Sequence, residues 1–137
     1  MENNTEKKEK ENSEVSLLFN KERSEWREKI QVLALDLKDI KTVAKAQVDL
    51  FGYRQILLEY SYKLAQVVSK LNSRIKKDTA SLLRGYTERS DIRYQANEKR
   101  VMIEGDLSDL NERLEIIEGH RKFIDQTMQT VDHMLYG

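Results

Sequence analysis

The chain has 137 residues, with 24 Lys and Arg against 24 Asp and Glu, and no proline or cysteine. Apolar residues at 39% beside charged residues at 35% suit long helices and argue against an all-β or doubly wound fold, and the length fits a single domain. The missing cysteines exclude a disulfide framework and a thiolate zinc site, and they agree with a reducing compartment.

In chain order, residues 1–14, MENNTEKKEKENSE, contain no apolar run. This predicts a disordered charged tail rather than a signal peptide. No window approaches the roughly 20 apolar residues of a membrane helix. The expectation is a soluble, cytoplasmic protein without a membrane partner. Residues 15–100 read as a helical region. Trp26, Ile30, Leu33, Leu37, Ile40 and Ala44 recur at spacings of three and four, an apolar stripe along one helix. Leu50, Leu57, Leu64 and Leu71 then follow at intervals of seven, with Tyr53, Tyr60 and Val67 between them. Gly52 lies between the stripes, where it marks either a bend or a tolerated glycine costing about 1 kcal/mol.

Residues 101–137 carry the most regular pattern. Ile103, Leu110, Ile117, Ile124 and Val131 occupy one heptad position, and Leu107, Leu114, Arg121, Met128 and Leu135 the other. Arg121 interrupts the seam, and a charge there is expensive to bury unless paired. Gly105-Asp106 reads as a helix start, with Asp106 as cap and Asp109 in the favourable first turn. So amphipathic a helix must pack on the chain's other helices or on copies of itself. The length of the stripes and the lack of tight turns favour copies, a homo-oligomeric coiled coil or ring built by residues 103–135. A bundle within one chain is the alternative.

The sequence holds no signature of a catalytic site. There is no glycine-rich phosphate loop, no paired-histidine zinc motif and no nucleophile elbow. His120 and His133 are thirteen apart, which suits two surface residues rather than a metal face. Neither a cofactor nor an enzymatic activity is expected.

The charge is distributed unevenly. Residues 54–100 hold eleven Lys and Arg against five Asp and Glu, whereas residues 101–137 hold three against eight. Within the basic stretch, Arg74, Lys76, Lys77, Arg84, Arg89 and Arg93 cluster with Tyr86 and Tyr94. Cations that engage phosphates, beside aromatics that stack on bases, are the means by which proteins hold single-stranded nucleic acid. An ordinary solvated connector has the same composition. Repetition of the patch over an oligomer would strengthen it through avidity.

The run RYQANEKRVMIEGDLSDL, Arg93 to Leu110, resembles the central motif of the phage recombination mediator UvsY family. The matching positions are Arg93, Tyr94, Glu98, Asp106 and Leu110. Upstream, LNSRI, Leu71 to Ile75, is similar to a Leu-Lys-Ala-Arg-Leu box in which Arg74 matches the arginine and Asn72 replaces the lysine. The resemblance spans about residues 50–137. It implies an accessory factor of phage recombination and repair, in the host cytoplasm. Such a factor binds single-stranded DNA, loosens the single-strand-binding protein and loads a strand-exchange recombinase. It also implies a ring-like oligomer assembled through the C-terminal helices. The competing expectation is a structural or adaptor coiled coil without nucleic-acid affinity, its basic middle paired with its acidic end.

Overall fold

The computed structural model describes residues 4–89 and 93–137, and it is all-α. The first helix, α1, spans Asn4–Asp36, and α2 spans Val43–Arg84, continued by a five-residue π turn, Gly85–Arg89. After the segment 90–92 come α3, Ala96–Asp106, and α4, Ser108–Tyr136, separated only by a break at Leu107. No described helix is long and apolar enough to cross a membrane.

The helices form a three-rod bundle within one chain. Arg54 of α2 meets Asp132 of α4, and Ser61 meets Asp125, so these helices run antiparallel. Asn12 reaches Asp109 and Glu22 reaches His120, so α1 runs parallel to α4. The turn between α1 and α2 is closed locally. Thr42 Oγ1 donates to the Asp36 carbonyl at 2.7 Å, and Asp39 Oδ1 accepts the Lys41 amide at 2.9 Å, satisfying backbone groups that a helix end leaves open.

Each rod supplies a heptad row to the core. Phe19, Trp26 and Leu33 come from α1, Leu50, Leu57 and Leu64 from α2, and Ile117, Ile124 and Val131 from α4. Leu50, Leu57, Ile124 and Val131 are fully buried. A second cluster of Ile103, Leu107 and Leu110 packs on Leu71, Ile75, Leu82 and Tyr86.

Several expectations change here. The expected oligomer seam lies inside the chain's own bundle. Ile103, Leu107, Leu110, Ile117, Ile124 and Val131 are buried in the core, and Leu114, Met128 and Leu135 pack against it. An amphipathic stripe records that a neighbour exists, and here the neighbours are α1 and α2. The tail expected to be disordered is helical from Asn4, while residues 1–3 lie outside the described residues. Its Glu- and Lys-rich composition favours helix, and Asn12, 1% exposed, anchors it. Asn12 Nδ2 donates to the Asp109 carbonyl at 3.0 Å, and Asn12 Oδ1 accepts Arg113 Nε at 2.9 Å. Asn12 stands seven residues before Phe19, in line with Trp26 and Leu33. It is thus a polar residue in a heptad row, a device that fixes register.

The first stripe stops early. Ile40 is 91% exposed in the turn and Ala44 is exposed on α2. Gly52 makes no bend, because α2 runs through it. Asp106 ends α3 rather than capping a helix, while Asp109 does stand in the first turn of α4.

Candidate nucleic-acid interface

Within the core, one layer is polar. His120, expected on the surface, is fully buried. Its ring stacks on Phe19 at 3.9 Å between centroids. His120 Nε2 lies 2.8 Å from Glu22 Oε2, which also accepts Tyr60 Oη at 2.5 Å. On the other side, Arg23 Nη1 approaches His120 Nδ1 at 3.1 Å. A guanidinium can only donate, so Nδ1 is the acceptor and the imidazole is neutral with its proton on Nε2, donated to Glu22. Burial, opposed by Glu22 and assisted by the Arg23 charge, lowers the His120 pKa from its ordinary 6.5. Burial and the Glu22 hydrogen bond raise that of Tyr60. His133 is exposed.

The lowered His120 pKa has a stability consequence. The unfolded chain takes up a proton near 6.5 that the folded chain refuses, so the unfolded state binds more protons below that pH. The contribution of neutral His120 is complete above 6.5 and is lost as pH falls from there towards the lower folded value. Chemical denaturation across this window should show stability falling on acidification, and His120→Gln should flatten that dependence. An unchanged slope in the variant would show that His120 is not its source.

The candidate interface lies on the outer side of α2. Arg74, Lys77 and Arg84 share one exposed face. Two cations that the sequence reading passed over, Lys63 and Lys70, extend it, so that Lys63, Lys70, Lys77 and Arg84 stand seven residues apart in one line with Arg74 beside them. Seven residues of helix rise about 10 Å, and the line is about 30 Å long. Lys63, Lys70, Lys77 and Arg84 form no ion pair among the described residues. Arg74 makes one at 3.7 Å with Asp78, both well exposed, and such pairs contribute little. The signal for Lys63 and Lys70 was the seven-residue interval, hidden because both sit among the apolar heptads of α2.

The other site residues separate from this row. Lys76 is exposed on a neighbouring face of α2. Arg93 is exposed before α3, and the Arg89 side chain lies outside the described residues. The tyrosines fasten the end of the hairpin. Tyr86 Oη donates to Asp106 Oδ2 at 2.5 Å, and its ring meets Tyr94 edge-on at 5.8 Å. The Asp106 hydrogen bond raises the Tyr86 pKa. Both rings are half-buried, and through Asp106 and each other they tie the end of α2 to α3. Beside them, Ile75, Leu83, Ile103 and Leu107 line an open groove of about 480 Å³ with Lys99 and Arg100.

Acidic side chains are exposed as well: Glu112, Glu115 and Glu118 on α4, and Glu104 on α3, which lines the groove with Lys99 and Arg100. Arg121, which interrupts the expected seam, sits at the edge of the buried face with its side chain 42% exposed and its Nε 4.0 Å from Asp125. Among the described residues, no group of His, Cys, Asp and Glu could hold a metal ion. Comparison of the chain with protein-family models, curated proteins and solved structures finds no match.

Proposed function

We propose that the chain binds single-stranded nucleic acid along the outer face of α2, as a non-catalytic accessory factor. The observation that carries this reading is the row Lys63, Lys70, Lys77 and Arg84, with Arg74 beside it, on an exposed face of α2. A row of cations at about 10 Å intervals on a rigid rod can hold a phosphodiester backbone at several points along its length. The resemblance at Arg93–Leu110 supports a narrower form of the proposal, a recombination mediator. In that role the protein holds single-stranded DNA beside the single-strand-binding protein and helps to load a strand-exchange recombinase.

The adaptor reading requires the basic middle to be neutralised by the acidic end. Among the described residues, one ion pair joins these stretches, Arg54 with Asp132 at 2.5 Å. The row cations stay in solvent, which favours an external anionic partner.

The test is fluorescence anisotropy of a labelled single-stranded oligonucleotide across a salt series. Five engaged cations predict a slope of log K against log salt near −3.5, at about −0.7 per phosphate. Affinity should exceed that for duplex of the same length. Absence of binding at low salt would eliminate the proposal.

A further inference from the structure

A second seam on α2 is left uncovered. Val48, Gln55, Tyr62 and Ser69 stand seven apart, with Phe51, Leu58 and Ala65 between them at spacings of three and four. That interval brings a helix along a partner helix. The bundle core already uses another face of α2, through Leu50, Leu57 and Leu64. On the outer seam Val48 is 69% exposed, Phe51 51%, Leu58 43% and Tyr62 68%. Tyr136 of α4, edge-on to Phe51 at 6.2 Å, is 71% exposed and widens the patch. None of the seven seam positions carries a charge.

The patch is at the upper end of what a monomer exposes, and patches of that size are often contact sites. Aromatic side chains offer about 200 Å² each, so Phe51, Tyr62 and Tyr136 with Val48 and Leu58 expose roughly 500 Å² of mostly apolar surface. A monomer seldom leaves more than a few hundred Å² contiguous. Gln55, Ala65 and Ser69 bring the seam close to the roughly 800 Å² that one partner contributes to a stable complex.

We propose that this seam docks a second copy of the chain, antiparallel, about a two-fold axis beside Leu58. Reversed about that point, the seam complements itself in size. Phe51 meets Ala65, Val48 meets Ser69 and Tyr62 meets Gln55, while Leu58 meets its own counterpart. Phe51 and Tyr62 each face a small or slender side chain, Leu58 packs on Leu58 at the axis, and the Tyr62 hydroxyl gains an amide partner. In a parallel pair Phe51 would crowd Phe51 while Ala65 faced Ala65 across a gap, and both overpacking and voids destabilise. The self-match selects a second copy over an unrelated helix, and the isologous contact closes at a dimer. Glu59, whose carboxylate accepts Gln55 Nε2 at 3.3 Å, lies beside the axis and faces its own counterpart, a like-charge contact that weakens the pair slightly. This inference is independent of the nucleic-acid reading, and it moves the oligomer contact from the C-terminal helix to α2.

Sedimentation velocity over a range of concentrations should show a monomer–dimer equilibrium. Leu58→Glu and Tyr62→Glu should each raise the dimer Kd at least about tenfold, as loss of a central contact does, with far-ultraviolet circular dichroism unchanged because both residues are exposed. Glu59→Gln should tighten the dimer. The absence of cysteine permits a direct check of register. Under mild oxidation Leu58→Cys should cross-link with itself, and Phe51→Cys should cross-link with Ala65→Cys but not with itself. A chain that is monomeric at every concentration, or a dimer indifferent to both glutamates, overturns the proposal. Self-linkage of Phe51→Cys overturns the antiparallel arrangement.

Discussion

Ile124→Asp is expected to unfold the chain. Ile124 is fully buried at the centre of α4, packed between α1 and α2. Truncation of such a side chain to alanine alone costs about 2–5 kcal/mol. A carboxylate there adds the penalty of a buried, unpaired charge, several kcal/mol more unless it is protonated. The total approaches the roughly 5–15 kcal/mol that holds a domain of this size folded. Circular dichroism at 222 nm should therefore show loss of helix at room temperature. The outcome separates two architectures. If the 103–135 seam joined subunits, the same variant would give a folded, helical monomer. Because the seam lies within the chain, dissociation without unfolding would contradict the bundle.

The same seam shows how far the sequence was legible. Residues 103, 110, 117, 124 and 131 were read as one buried column, and they are. The second column was assigned to 107, 114, 121, 128 and 135, the positions a helix turns towards a single partner. In the bundle α4 faces two partners, and the stripe widens to take in His120 and Thr127, both buried. A heptad template has no place for that third column. That template therefore puts His120 on the surface, and it places Arg121 in a seam that the residue only borders.

Buried polar residues escape hydropathy for a related reason. Nothing in the sequence marks Asn12 as interior, or Glu22 as the half-buried partner of a core histidine. Their placement depends on Arg113, Tyr60 and His120, which come from distant parts of the chain. Local composition likewise makes the first fourteen residues look unstructured, although a distant anchor holds residues 4–14 as helix. The basic site was half legible. A window opening at Arg74 captured the density of cations but not their alignment, which emerges once Lys63 and Lys70 are placed on the same rod. Tyr86 and Tyr94 have the composition of a stacking platform, and only the structure reveals that they stand edge-on to each other, with Tyr86 bonded to Asp106.

Charge reversal along the row should abolish binding of single-stranded nucleic acid while leaving the fold intact. The variant is Lys63→Glu, Lys70→Glu, Lys77→Glu and Arg84→Glu. All four residues are exposed and none has an ion-pair partner among the described residues, so little packing is lost and surface substitutions of this kind usually stay within about 0.5 kcal/mol each. The electrostatic effect is much larger. Removal of four phosphate contacts cuts affinity by on the order of a hundredfold to a thousandfold at moderate salt, and the four new carboxylates repel the backbone as well. The salt slope should collapse towards zero together with the affinity. Reversal of Lys7, Lys8, Lys10 and Lys21 on α1 changes the net charge by the same amount and provides the control. If both variants lose binding equally, the effect is one of net charge alone. If only the α2 variant loses it, the row is the site. If neither does, the single strand lies elsewhere and the proposed function fails.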